Sequence, residues 1–536
     1  MLLSIVVPTK NEELNIKELL KGIWDALIPY SPELKYEVLV VDDGNDATAN
    51  ISRLHKARVI HGQHKGLGQA ILDGICHSNG EVVLVMDADL SHNPKYIPDL
   101  IKPIIERGYD MTIGSRYVKN GGTANWTFKR RLISRFASLI AYPVTWIQDN
   151  TSGFFAFRKS ILEGVGLKAQ SWKIMLEILV RANPTAVMEV PITFKDRKAG
   201  QSKFNSKQVK AYLLHIVRLA AYKYNAFIRF GLIGLVGALI HFTILYTLTD
   251  IAGIWYILSA VTAIVLTSTF NYFMNHKFTF KDRRISNHLL GWAKYQLLSG
   301  ITDSIYLGLL ALFTEVFGMW YLASALIAVL MIYPVKFIVA SSLIWSKRIN
   351  MDDPDYEWNA FYKGSLVQKW WKHQIANIVW KWIPESESIL DYGCGSSPLS
   401  VRYGDKAVCC DTDLSKLEFM RAKCPTVNYV DGTLSQLGKQ YDHALCVEVI
   451  EHLESPDYLM GYLSSVVKDN GILVIATPDY GRWWWYLAEV FTPYKEAHVK
   501  KYTRKSLERL CMSYGFIPIK HEYVAGCDLC EMFLKQ

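Results

Sequence analysis

Two α/β units built on parallel sheets, separated by a helical membrane domain, are the fold class this 536-residue chain predicts. Three observations predict it. Near the N-terminus, strand, acidic turn and helix repeat three times. In the middle, four apolar stretches follow one another closely. Beyond them, a strand runs into a glycine turn, and a second strand ends in Asp about 20 residues on.

The first strand is Ser4-Ile5-Val6-Val7, running through Pro8, Thr9 and Lys10 into Asn11-Glu12-Glu13. The second is Val38-Leu39-Val40-Val41, ending in Asp42-Asp43-Gly44-Asn45-Asp46. The third, Val82-Val83-Leu84-Val85-Met86, ends in Asp87-Ala88-Asp89. In an open α/β sheet, ligands bind at this carboxyl edge. Two carboxylates one residue apart can hold a divalent cation against a diphosphate. A lone pair of this kind is usually only a solvated turn; here the strand–turn pattern surrounds it. Downstream lie Gly114-Ser115-Arg116-Tyr117, Arg130-Arg131-Leu132-Ile133-Ser134 and Asp149-Asn150-Thr151-Ser152-Gly153-Phe154-Phe155.

Together these motifs resemble family 2 glycosyltransferases of the GT-A fold, nearest to the dolichyl-phosphate mannose synthase group, over residues 1–205. The resemblance implies an inverting enzyme. It would move mannose or another hexose from a nucleotide sugar, GDP-mannose or similar, to polyprenyl or dolichyl phosphate. It implies Mg2+ or Mn2+ on Asp87 and Asp89, and donor contacts from Pro8, Thr9, Glu12, Asp42, Asp87, Ala88, Arg197 and Lys203. Arg116, Arg130 and Ser134 match the family positions that grip the acceptor phosphate, and the resemblance implies that Asp87, Asp89, Arg116 and Arg130 would carry the catalysis. For each arginine the plain alternative is a surface salt bridge. Three departures stand out: Lys10 in place of the usual Tyr, a loop at Asp42–Asp46 one residue short, and Ser91 where some relatives have a metal-proximal Gln.

The segment Val209–Tyr222 reads as an amphipathic helix with a basic face, suited either to the headgroup layer or to the surface of the preceding domain. Apolar stretches follow at about 230–249, 255–276, 295–316 and 319–345, each near the roughly 20 residues a spanning helix needs. Arg218, Lys223 and Arg229 precede the first. Lys277, Lys281, Arg283, Arg284 and Lys294 separate the second from the third, and Lys347 and Arg348 follow the fourth. That bias predicts four transmembrane helices with both termini cytoplasmic. Phe227-Ile228-Arg229-Phe230-Gly231 and the run from Phe270-Asn271-Tyr272 to Phe278-Thr279-Phe280 resemble the GtrA-like membrane family. Asp303 and Lys336 fall at similar depth in the third and fourth stretches. Either they pair between the helices, or Lys336 snorkels to the headgroups.

After Trp-rich helices expected at 347–385 comes Ser388-Ile389-Leu390-Asp391-Tyr392-Gly393-Cys394-Gly395. Ala407–Asp411, Asp431-Gly432, Cys446–Leu453 and Gly471–Pro478 complete a pattern that resembles class I S-adenosylmethionine-dependent methyltransferases over 386–536. The resemblance implies a cofactor site of Asp391, Gly393, Gly395, Asp411 and Asp431, with Asp411 on the ribose hydroxyls and Asp431 toward the adenine amine. Asp413 reads instead as a helix N-cap, and Ser397 stands where a third Gly is common. A nicotinamide-binding Rossmann domain is the runner-up.

The resulting organisation is 1–205, a juxtamembrane helix 206–226, a membrane domain 227–346, connecting helices 347–385, and 386–536. A net charge of +9 suits a membrane surface and anionic substrates. No nucleic-acid partner is expected; a homo-oligomer is compatible with the pattern. Cys76 stands apart from the remaining cysteines, all from Cys394 onward, which fits a reducing compartment rather than a disulfide framework. Cys527 and Cys530 read as structural thiols. A second functional reading is a lipid-sugar translocation or scaffold protein with degenerate enzyme domains.

Overall fold

The computed structural model describes all residues except 1, 31–33, 125, 169–172, 196–205, 282, 284, 286, 346–352, 365, 433–439, 484 and 486–497. Contacts divide the chain into two units: Met1–Leu219 with Met351–Gln536, and Ala220–Asn350.

The strands of the first unit are β1 (Leu2–Thr9), β2 (Lys35–Asp42), β3 (Arg58–His61), β4 (Val82–Val85), β5 (Met111–Ser115), β6 (Gly122–Thr123), β7 (Phe155–Arg158), β8 (Val187–Pro191) and β9 (Thr193–Phe194). After the membrane segment come β10 (Ile389–Tyr392), β11 (Ala407–Asp411), β12 (Asn428–Asp431), β13 (Tyr441–Val447), β14 (Val467–Pro478), β15 (Phe516–Val524) and β16 (Asp528–Lys535). One seven-stranded sheet has the order β3-β2-β1-β4-β7-β5-β8, the other β12-β11-β10-β13-β14-β16-β15. β6 and β9 form a separate parallel pair.

The first sheet departs from the all-parallel expectation at β7, which runs antiparallel to both β4 and β5. In the second, β16 runs antiparallel to β14 and β15. β1, β4 and β10 are almost wholly apolar because helices cover both faces, so Ile5, Val6, Val7, Leu84, Ile389 and Leu390 are fully buried. β1 lies between β2 and β4, and β10 between β11 and β13. Connections therefore leave these strands in opposite directions, opening a crevice at each carboxyl edge.

The two sheets share one unit through direct contacts. Lys423 Nζ lies 2.7 Å from Asp110 Oδ1, the Thr426 hydroxyl donates to the Glu106 carbonyl at 2.8 Å, and Arg158 donates to the Lys423 carbonyl at 3.2 Å.

The helix Ser206–Lys223 buries Tyr212, His215, Ile216 and Leu219, a stripe at helical spacing. The Tyr212 hydroxyl donates to the Ala137 carbonyl at 2.9 Å. His215 Nε2 lies 2.7 Å from the buried Glu177 carboxylate, which also pairs with Arg181. Burial alone would raise the Glu177 pKa; the His215 hydrogen bond and the Arg181 charge outweigh it and hold the pKa below 4.5. The stabilisation this lends is therefore complete above pH 4.5 and is lost as pH falls through the lower folded-state value. Glu177→Ala should cost about 3–5 kcal/mol, as expected for orphaning a buried pair, and Glu177→Gln should flatten that acid limb; denaturation at several pH values in detergent checks both.

In the second unit the apolar stretches are helices Asn225–Tyr246, Tyr256–Met274, His288–Ala311 and Tyr321–Val339, each ending in a wider π-helical turn. Asn225–Ile251 and His288–Val316 are long and apolar enough to cross a membrane. Leu232, Leu235, Leu239 and Phe242 point outward, while Tyr272, Phe280, Tyr295 and Trp345 pack inside. The glycines divide likewise: Gly237 lies against the Asn271 amide, whereas Gly234 faces open space. Phe280 stacks on Trp345 at 4.7 Å, so the aromatic motif builds the bundle core. Asn275 bonds the Asn271 carbonyl at 2.8 Å and receives the Thr279 hydroxyl at 2.8 Å, holding that helix end. Lys336 Nζ lies 3.5 Å from Asp303 Oδ1, the paired arrangement rather than the snorkelling one. Asp303→Asn should destabilise the protein, and adding Lys336→Met should recover part of that loss, a non-additivity read from thermal unfolding in micelles.

Candidate active sites at the two sheet edges

The first site starts at the ends of β1, β2 and β4. Thr9 pairs in register with Asp42, and its hydroxyl donates to Asp42 Oδ1 at 2.8 Å. Gly44 N donates to the same oxygen at 3.1 Å, so Asp42 is held at the lip of the crevice. Pro8 and Thr9 form that edge, and the Glu12 amide is tied to the Thr48 hydroxyl at 2.9 Å. Asp46 accepts from the amides of Glu13 and Thr48, at 3.1 and 3.0 Å. It closes the short loop.

Asp87, Ala88 and Asp89 follow β4. Asp89 is buried, and its Oδ1 accepts from Ser91 N at 3.1 Å and the Ser91 hydroxyl at 2.5 Å. Asp87 is about one-third exposed, with His92 Nδ1 3.7 Å from its Oδ2. That buried Nδ1 has no hydrogen-bond partner among the described residues. Burial drives the His92 pKa down to about 4, so the ring is neutral at physiological pH. A side chain at Gly153 would collide with Asp87 Oδ2, its Cβ lying 2.8 Å away. Two carboxylates one residue apart at this strand end fit a hard divalent cation.

The positive side is built on Arg116. Its Nε and one terminal nitrogen clasp Asp149 at 2.7 and 2.6 Å, and the same nitrogen donates to Thr151 Oγ1 at 2.8 Å. Burial would lower the Arg116 pKa, but Asp149 outweighs it and raises it; for Asp149 burial pushes up and Arg116 pulls the pKa below normal. The surface salt bridge that was the plain alternative is thus a buried ion pair, in which only Nη1 makes none of these bonds. Arg130 is exposed, 4.4 Å from the centre of the Trp126 ring, and Arg116 lies 5.3 Å from the same ring. Ser134 receives the Tyr117 hydroxyl at 2.7 Å. Arg116, Arg130 and Ser134 therefore gather around Trp126 and Tyr117. Arg197 and Lys203 lie outside the described residues.

Sequence reasoning missed Lys173. It is buried, it donates to the Thr151 carbonyl, and burial, reinforced by the Arg116 charge, lowers its pKa to about 7 against the pull of Asp87 and Asp149. Nothing local in its sequence marks it. Asp149 opens a motif the sequence already showed, without a role, and His92 lies just after Asp87-Ala88-Asp89; that position was the available signal.

The second site lies at the edge of β10 and β11. Gly393 and Gly395 have φ of 72° and 51°, a region that favours glycine. A Cβ on Gly393 would enter Val449, and one on Gly395 would come within 2.9 Å of the Glu357 carboxylate. Asp411 accepts from Gly395 N at 2.7 Å and from Asp413 N at 2.9 Å, and it pairs in register with Asp431. Asp413 caps the helix Leu414–Lys423, as expected. Asp391 is buried beneath the turn, where its Oδ2 receives the Ser400 hydroxyl at 2.5 Å and burial pushes its pKa up to about 6. It props the turn from below. Glu357, from the connecting helix Tyr356–Tyr362, accepts from Ser396 N at 3.0 Å and pairs with Lys416 at 2.9 Å. This carboxylate over the turn was not anticipated. A glycine cradle that any Cβ would fill, flanked by two strand-end carboxylates, fits an adenosine-containing cofactor.

Residues 4–166 match glycosyl transferase family 2, residues 229–345 the GtrA/DPMS transmembrane domain, and residues 366–521 a methyltransferase domain. The molecule is a membrane glycosyltransferase with a fused methyltransferase domain. The dolichol-phosphate mannosyltransferase of Pyrococcus furiosus is 36% identical over 360 residues, 65% of this chain and 100% of that protein. That of Saccharomyces cerevisiae is 33% identical over 241 residues, 42% of this chain and 88% of its own. The chain belongs to the dolichol-phosphate mannosyltransferase family. Among solved structures, mannosyl-3-phosphoglycerate synthase from Rubrobacter xylanophilus has a TM-score of 0.33 at 20% identity, covering 41% of this chain and 73% of that one.

Gly393→Ala should abolish S-adenosylmethionine binding measured by calorimetry, because strain at positive φ and overlap with Val449 act together. At Gly404, also at positive φ but facing open space, Ala should lower stability through backbone strain and leave binding intact.

Proposed function

We propose that the first sheet transfers a hexose, mannose being the leading candidate, with inversion from a nucleotide diphosphate sugar to a polyprenyl or dolichyl phosphate. The observation that carries this reading is the closeness of Asp87 to Arg116, whose pKa its charge helps to raise, with Arg116 and Arg130 both against Trp126. Such a crevice suits two phosphate-bearing substrates at once. An acceptor phosphate is already anionic near neutral pH, its second pKa being about 6, so no dedicated base is required. The protein's task is to neutralise and align charge.

Asp42 and Thr9 would receive the nucleoside, with Pro8, Glu12 and Ala88 lining the lip. Asp87 and Asp89 would hold Mg2+ or Mn2+, which when bound supplies positive charge to the donor diphosphate. Arg130 and the Nη1 group of Arg116 would grip the acceptor phosphate, with Ser134 donating beside them. Lys173, poised near neutrality, would gain its proton as a diphosphate arrives, adding charge where the leaving group forms. Arg197 and Lys203 would act from the segment after β9.

Membrane placement agrees with this. The helix Phe128–Ala141, which carries Arg130 and Ser134, exposes Leu132, Ile133, Phe136 and Leu139. The helix Ser206–Lys223 exposes Leu213, Leu214 and Val217. Apolar side chains interleaved with arginines suit the headgroup layer. The Lys and Arg bias supports four spans with both termini cytoplasmic. The domain boundaries given above are part of this reading. The second sheet would bind S-adenosylmethionine through Gly393, Gly395, Asp411 and Asp431, with Asp391 supporting the turn.

Radiolabelled transfer to polyprenyl phosphate from several nucleotide sugars tests the proposal. Asp89→Ala should abolish transfer and leave S-adenosylmethionine binding intact. Arg130→Ala should raise the acceptor KM while nucleotide-sugar affinity stays unchanged. Wild-type transfer that survives excess chelator would reject the cation assignment, and absence of transfer from every donor would favour the translocation or scaffold reading.

A further inference from the structure

At the end of β13 the chain turns through Glu448 and Ile450–His452, and His498 comes from a later part of the chain, after β14. One potential ligand atom each from Glu451, His452 and His498 lies within 4.8 Å of the others. None of the three belongs to the cofactor residues described above. The two histidine rings sit 5.2 Å apart at 67°, which by itself would describe a surface stacking pair. Three features point beyond packing.

First, Glu451 is wholly buried in the turn that follows β13. Its Oε2 accepts from the buried Thr477 hydroxyl at 3.0 Å, which fixes the orientation of the group. Second, the His498 segment is pinned there: Val499 N and Lys500 N both donate to the Glu451 carbonyl at 3.0 Å. The Tyr480 hydroxyl meets His498 Nδ1 at 2.9 Å and sets the ring. Oriented second partners of this kind are typical of metal-bound histidines and carboxylates. Third, the cluster stands where a methyl acceptor belongs. β13 is the neighbour of β10, whose end carries the glycine turn, and Thr477 and Tyr480 come from the end of the next strand, β14. Trp485 lies nearly parallel to His498, at 5.9 Å and 18°, with Trp371 6.3 Å from Trp485, so an aromatic wall flanks the cluster.

We propose that Glu451, His452 and His498 form a divalent-cation site that binds a hydroxyl oxygen of the methyl acceptor. The role rests on the reading of this domain as a methyltransferase. Two imidazoles and one carboxylate suit Mn2+, Fe2+ or Zn2+ better than Ca2+ or Mg2+. The ion lowers the pKa of the hydroxyl it binds and fixes its direction. In the transfer, the acceptor oxygen forms the new bond to the methyl carbon. The S–CH3 bond of S-adenosylmethionine breaks with its electron pair left on sulfur, and the hydroxyl proton leaves to water. The acceptor class this requires is a hydroxyl-bearing compound, with at least one oxygen for the cation.

The test uses the full chain in detergent micelles carrying Asp87→Asn and Asp89→Asn, so that the first sheet holds no cation. Mn2+ is titrated and followed by electron paramagnetic resonance, with S-adenosylmethionine binding measured in parallel by calorimetry. The expected result is saturable Mn2+ binding, weakened about 10-fold or more by His498→Ala and by His452→Ala, with cofactor affinity retained as proof of folding. His452 is exposed, so its truncation leaves packing intact. Cofactor binding without saturable Mn2+ binding, or Mn2+ binding indifferent to both histidines, overturns the site. Mn2+ binding without cofactor binding overturns the methyltransferase reading, and with it the acceptor role.

Discussion

Parallel pairing of β1 with β2 and β4, and of β10 with β11 and β13, is the constraint on which both sites rest. Parallel strands release all their carboxyl ends at one edge. A short polar segment after each strand is then delivered to the same crevice, however far apart the segments lie in the chain. Asp42, Asp87 and Asp89 meet for this reason, as do Gly393, Asp411 and Asp431. A seven-stranded core buried on both faces makes the edge rigid enough to hold such charges in place.

The charges at the first edge are arranged as a balance. Arg116 inside the protein would be untenable without Asp149, and Asp149 without Arg116, since an orphaned buried ion costs several kcal/mol. The pair and Thr151 together consume most of the guanidinium's donors. Lys173 and His92 are buried close by and lose proton affinity as a result. At the second edge the signs are reversed: Glu357 is paired with Lys416 and Glu448 with Lys372.

Much of this was legible in the residues. The β1, β2, β4 and β10 segments were visible as apolar runs ending in acid or glycine, and the Asp413 cap as an N-terminal helix signal. The antiparallel insertion of β7 was not, because Phe155–Arg158 is as apolar as a parallel strand and direction leaves no mark on composition. The Asp303–Lys336 pair was one of two alternatives until the helices were placed. Lys173, Glu357 and His498 were invisible, since each reaches its site from a separate segment with no motif of its own.

The amino-acid sequence by itself determined the local elements, their order, and the chemical type of each strand-end group, because those depend on periodicity and on residues close in the chain. It also determined which stretches are apolar enough to lie in a bilayer. Tertiary structure alone decided the partners. It closed Arg116 on Asp149, placed Glu357 over the glycine turn, tied Glu177 to His215, and drew His498 to Glu451. Such pairings depend on distance in space, and a chain folded through crossovers brings together residues whose separation in sequence carries no trace of it.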